Sequence, residues 1–140
     1  MSHVRRTIRD AVIALLGGLP TTGARVFSGR PDAYALAENE LPALLVSLID
    51  ERVVGNALGG PARRSVREVT LVVTAAVKAT AGYLDTLDAI AAEVEPVLAN
   101  AVALGGAKYA QYSGMNGPQV DGSTDQPVAQ AIFTWTLSYA

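Results

Sequence analysis

A chain of 140 residues with no cysteine and a formal net charge of −2 excludes several classes at once. Disulfide scaffolds and thiolate metal sites are ruled out, and the near-neutral charge argues against the basic footprint of a nucleic-acid binder. The length suits one domain, able to bury roughly two-thirds of its unfolded surface without a metal or a staple.

In chain order, Val4, Ile8, Ala11, Val12 and Leu15 recur at spacings of three and four and predict an amphipathic helix over 4–16. Arg5, Arg6 and Arg9 fall largely away from that stripe. Asp10 interrupts the apolar positions, which are periodic rather than continuous, so no secretory leader is read here. No apolar stretch reaches the roughly 18 residues of a membrane span. Gly17-Gly18 stops the helix, since glycine suits the left-handed conformation of a helix end. A short strand, Ala24 to Phe27, follows. A second, proline-led segment, Glu40 to Val46, opens a compact apolar run, Leu44 to Ile49, expected to be a buried strand.

Glu51 to Arg64 reads as a loop or flexible hairpin tip, with Gly55-Asn56, Gly59-Gly60-Pro61 and Arg63-Arg64. Val66 to Lys78 is the clearest strand. Val69, Leu71, Val73, Ala75 and Val77 take one face, the expected core face, because alternate side chains point to opposite sides. Ala81-Gly82 turns the chain into a second helix, 83–100, with Leu84, Leu87, Ala91, Val94 and Leu98 as its seam and Asp85, Asp88, Glu93 and Glu95 making the rest acidic. Pro96 is expected to kink it or end its regular part. Ala107 to Tyr112 reads as a strand and Ser113 to Pro127 as a polar loop. Val128 to Tyr139 is the last strand, with Phe133, Trp135, Leu137 and Tyr139 on one face and Ile132, Thr134, Thr136 and Ser138 on the other. The order implies an α+β fold: a single domain with a largely antiparallel (mixed) β-sheet and two α-helices packed on one face.

Chemistry is sparse. The one histidine, His3, sits beside the N-terminus, where chains fray. Asp85 and Asp88, three apart on one helix face, admit two readings: a general acid–base pair or a solvated acidic helix start favoured by the helix dipole. Asp121 and Asp125 offer two oxygens to a hard cation, but the residues between them do not follow a calcium loop, and a polar turn is the plainer reading. Gly55, Gly59 and Gly60 lack the Lys-Ser or Lys-Thr of a phosphate loop. Arg52, Arg63 and Arg64 form a basic cluster that suits phosphate, acids on a neighbour, or solvent. No residue is assigned to catalysis, a cofactor or a metal. Charged residues are 17% of the chain against about 25% in an average soluble domain, and 50% are hydrophobic. That surplus reflects either apolar surface kept for an interface or an alanine-rich composition.

The order and spacing of several segments resemble the tail terminator proteins of long-tailed bacteriophages, a family that includes the minor tail protein U of phage lambda. The segments are Ile8 to Val12, the glycine turn with Thr22 to Phe27, Glu40 to Val46, Arg67 to Leu71, Leu84 to Ala91 and Pro127 to Ala129. The resemblance covers most of the chain and implies one tail-terminator-like domain over 1–140. It implies a non-enzymatic structural virion protein, a homo-oligomer, usually a hexameric ring. Such a ring caps the tail tube, stops its polymerisation and offers a surface for head or neck attachment. The implied partners are the tail tube protein and a head completion or neck protein, with DNA passing through the ring without sequence-specific binding and no membrane involved. The implied location is the head-proximal end of the tail, after synthesis in the host cytoplasm. The 113–127 segment is longer than the family pattern suggests. Loops on a rigid scaffold carry recognition, so Arg52, Val53, Val54, Asn56, Leu58, Arg63 and Arg64 are the expected contacts to the tube or a neighbouring subunit. Asp85, Asp88 and Glu95 are the expected acidic face, lining the channel or facing solvent. A head–tail connector or tail-completion (neck) protein shares these features, and a small α+β ligand-binding protein or enzyme is the alternative of another class.

Overall fold

The computed structural model describes residues 4–29, 36, 38–57, 64–99, 107, 110–121 and 127–139. The elements are α1 (Val4–Leu16), β1 (Val26–Ser28), β2 (Ala43–Ala57), β3 (Arg64–Lys78), α2 (Tyr83–Ala99), β4 (Ala110–Asp121) and β5 (Val128–Tyr139), with a 3₁₀ turn at Glu38–Glu40 before β2. The five strands form one sheet in the order β1-β2-β3-β5-β4. β1 pairs with β2 in parallel and every other pair is antiparallel. The expected mixed sheet is thus observed, in a single α+β domain.

The alternation read along β3 holds without exception: Val69, Leu71, Val73, Ala75 and Val77 are all buried. Register carries the same face across the sheet, with Val69 opposite Leu137, Leu71 opposite Trp135 and Val73 opposite Phe133. On β5, Phe133, Trp135, Leu137 and Tyr139 are buried together, as the alternation predicts. Both helices close over this face, and their buried residues join the same core. Each such aliphatic or aromatic side chain contributes about 1.5–3 kcal/mol of burial.

Both helices are rolled from the predicted seams. α1 buries Ile8, Val12 and Leu16, while Val4 and Leu15 are 37% and 39% exposed. The roll brings Arg5 onto the packed side, where its Nη1 lies 3.7 Å from Glu51 Oε2 on β2. By spacing the arginines fall largely away from the predicted stripe, but an arginine stem can lie along apolar surface while its head finds a partner. α2 buries Leu87, Ile90, Val94 and Leu98, and Leu84 is half exposed. Pro96 does not end α2, which continues to Ala99. The proline is exposed and Leu98 in the same turn is buried, so packing of the inner side holds the turn. α1 ends as expected: Gly17 N–H still reaches Ile13 O at 3.0 Å, and Gly18 takes φ 90°, a conformation costly for other residues. The strand predicted at 24–27 is displaced to Val26–Ser28. Arg25, just before it, donates from Nε to the Pro42 carbonyl at 2.8 Å and so anchors the lead into β2.

Three further expectations are corrected. The apolar run 44–49 is buried only through Val46; Leu48 is half-buried and Ile49 is 45% exposed, on the face without helices. That face has a small core of its own at one end, where Leu36, Leu41, Ala43, Leu45, Ala76 and Val128 meet, and it does not extend to Ile49. Of the predicted 51–64 loop, residues 51–57 and 64 are strand; 58–63 lie outside the described residues. Irregularities between Ile49 and Arg52, and between Val53 and Gly55, insert extra residues, with Asp50 at φ 54°. Each bulge resets the alternation, which is why no strand was legible there. The 113–127 loop is likewise strand as far as Asp121. Its irregularities fall between Tyr112 and Gly114 and between Asn116 and Gln119. At Gly117 the φ is 110° and a Cβ would stand 3.0 Å from the Gln130 carbonyl, so the glycine is required for β4 to follow β5.

Candidate interaction surface

The Arg67–Tyr139 pair is the last rung between β3 and β5. Beyond it β2 and β3 continue together, with Gly55 opposite Val66, Asn56 opposite Ser65 and Ala57 opposite Arg64. Among the described residues no third strand accompanies them. The arm is therefore a two-stranded ribbon, an arrangement marginally stable by itself in water.

At the root of the arm, the bulge turns Glu51 toward the helix side. There its Oε2 lies 3.7 Å from both Arg5 Nη1 and Arg67 Nη1. Arg9 Nε, Glu51 Oε1 and Tyr139 OH are buried without a hydrogen-bond partner. Arg52, on the open side, gives Nε and Nη2 to Glu68 Oε1 at 3.1 and 2.8 Å, and its side chain is 74% exposed. Val53 is 60% exposed. Of the other expected contact residues, Val54, Asn56 and Arg64 lie in the paired strands, while Leu58 and Arg63 fall outside the described residues.

A second surface runs along the other edge of the sheet, where among the described residues no strand pairs with the outer side of β4. Tyr112, Met115 and Val120 on β4 are 43%, 49% and 49% exposed. In register they stand opposite Trp135, Phe133 and Ala129, hence on the helix-bearing face. Tyr112 packs on Trp135 with ring centroids 5.1 Å apart. Burial, reinforced by the nearby Glu95 carboxylate of α2, pushes its phenol above the ordinary pKa. The contact shows which flank of α2 faces β4. Leu84 and Asp88, eleven and seven residues before Glu95, lie on the same flank at helical spacing.

Asp85 and Asp88 are exposed, and among the described residues neither makes an ion pair. Asp85 borders a shallow depression formed by Thr80 to Leu84, open to solvent. The expected acidic face is therefore not uniform: Glu95 lies near Tyr112, and Glu93 turns the other way to take Thr21. Asp121 is described, whereas His3 and Asp125 lie outside the described residues. Among the described residues no group of three or more His, Cys, Asp or Glu is placed to hold a metal ion. No helix among them is long and apolar enough to cross a membrane.

Sequence reasoning missed the Arg5–Glu51–Arg67 network and the Tyr112–Glu95 contact. Neither leaves a local signal, because the partners come from distant elements. The alternation of β4 would have exposed its apolar row had the two irregularities not broken it.

The chain matches the family model of the phage minor tail protein U over residues 3–134, which spans the arm, α2, β4 and most of β5. It belongs to that family. No curated protein matches the chain. Membership makes it a structural component of the phage tail and so of the virion. The glycine turn after α1, the proline-led β2 and the helix from Leu84, on which the resemblance was read, all fall within the matched span.

Proposed function

We propose that this minor tail protein is a tail terminator. Copies close into a ring, six being the expected number, at the head-proximal end of the tail. The ring caps the tube, stops its polymerisation and presents a surface for the head completion or neck protein. It acts by shape and occupancy rather than by catalysis: binding covers the tube edge that the next tube subunit would use, without offering an equivalent edge beyond it.

The observation that carries this reading is the arm, a ribbon of β2 and β3 that no third strand accompanies among the described residues, in a chain that belongs to a phage tail family. A ribbon of that kind gains stability from a partner, and recognition on loops and tips held by a rigid sheet is the usual arrangement. Arg52, Val53, Val54, Asn56, Leu58, Arg63 and Arg64 contact the tube or the next subunit in this proposal. Asp85 and Asp88, exposed on α2, supply negative charge either to the channel, where it keeps passing DNA from adhering, or to the junction with the next copy; Glu95 adds to it behind Tyr112.

The test is the mass of the purified protein, alone and with tube protein, together with negative-stain images of tube ends. Rings in solution or only on tube ends support the proposal. A monomer that ignores tubes refutes it. The Arg63/Arg64→Glu double variant tests the arm: capped tails of normal length joined to heads would show that these arginines make no such contact.

A further inference from the structure

We propose that the arm of one copy docks on the α2–β4 flank of the next copy; this rests on the ring reading above. Three observations bring the two surfaces together. The root of the arm, at the last three-stranded rung, carries the most exposed large hydrophobic side chain among those described, Val53 at 60%, and the flank carries four half-exposed ones, Leu84, Tyr112, Met115 and Val120. An apolar row of that size on one side of a sheet edge is the mark of a contact surface rather than of scattered exposure.

The charges are also complementary. Arg52 is 74% exposed and spends Nε and Nη2 on Glu68, leaving Nη1 uncommitted by the described bonds, and Arg67 is 39% exposed. The flank offers Asp85 and Asp88 without a described ion-pair partner. Opposed charges at the rim of an apolar contact set its register and suppress wrong pairings.

The third observation is placement. The arm leaves the end of β2 and β3, while the flank lies on β4, beyond β5. Arm and flank are different patches, so within a ring the contact runs head-to-tail, whereas a two-fold pair would exchange two such contacts and stop at a dimer. Repeated head-to-tail contacts close a ring or extend a filament. Val53 enters the row of Leu84, Met115 and Val120, and Arg67, its cross-strand neighbour on the same face, approaches Asp88.

The experiment uses two variants of the full chain, Val53→Asp at the root of the arm and Met115→Asp on the flank. Both positions are exposed, and native mass spectrometry reads assembly alone and with tube protein. Each variant by itself is expected to lose at least tenfold in ring fraction. Mixed in equal amounts, they are expected to form a dimer that grows no further, since the intact flank of the first meets the intact arm of the second only once. That dimer also proves both variants folded. A cysteine-free chain allows a second measurement: a Val53→Cys/Met115→Cys double variant should oxidise to a covalent ladder, whereas a mixture of the single variants should stop at the covalent dimer. If wild type forms rings and the variants do so equally well, or the mixture stays monomeric and no ladder forms, the arm–flank contact is overturned and the ring stands. If wild type forms no ring even on tube ends, the ring reading itself has failed.

Discussion

The bond between Thr21 and Glu93 ties the turn after α1 to the outer side of α2, 72 residues away. Glu93 Oε1 accepts from the Thr21 backbone N–H at 2.9 Å, and Oε2 takes the Thr21 hydroxyl in a short bond. Hydrogen bonds to a charged group contribute about 1.5–3 kcal/mol each. Both residues are half-buried, which places these two near the lower end. Glu93→Ala is therefore expected to cost about 2–3 kcal/mol, lowering Tm by roughly 5–10 °C for a domain of this size. Thr21→Val keeps the backbone donor and removes one bond, for a cost of about 1–1.5 kcal/mol. The double variant should show a coupling of about 1 kcal/mol. Urea unfolding under monomeric conditions measures all three, with a shifted midpoint and an unchanged slope. A coupling within ~0.3 kcal/mol of zero, or a cost for Glu93→Ala below ~0.5 kcal/mol, would show that solvent serves Glu93 as well as Thr21 does and that the two helices are held by apolar packing alone.

The remaining predictions concern the core, the edge strand and alkaline pH. Trp135, 1% exposed and in tilted ring contact with Phe133 and Tyr112, should cost about 3–5 kcal/mol when replaced by alanine; calorimetry showing less than ~1.5 kcal/mol would mean the cavity collapses. Gly117→Ala meets both an unfavourable φ and the Gln130 carbonyl, so a loss above ~1 kcal/mol is expected, with faster amide exchange in β4 as the local readout. For Tyr112 the folded pKa lies above the unfolded value near 10. Its contribution to stability is thus intact below about pH 10 and lost as pH rises through the folded value. Glu95→Gln should bring the phenol down toward its ordinary range; ring-carbon NMR that finds the titration unmoved would remove Glu95 as a cause.

Much of this molecule was legible because period and burial coincide. β3 and β5 alternate without a break and lie at the centre of the sheet, so every second residue had to face the helices. The length of α1, the glycine turn after it and the strand after Pro42 were readable for the same reason: local conformational preference and tertiary demand agree there. The roll of each helix was not readable, because which of two adjacent apolar stripes is buried depends on the sheet beneath it, and the Arg5–Glu51 pair shows that a charge near a distant partner looks in sequence like a charge that needs water. The arm and β4 were hidden by their bulges, since an extra residue sends the next side chain to the opposite face and erases the alternation. The sequence thus determined the class, the core strands and the family. Only the tertiary structure decided where the sheet outruns its helices, because that depends on which distant residues are available to cover it, and both candidate contact surfaces lie where none of the described residues do.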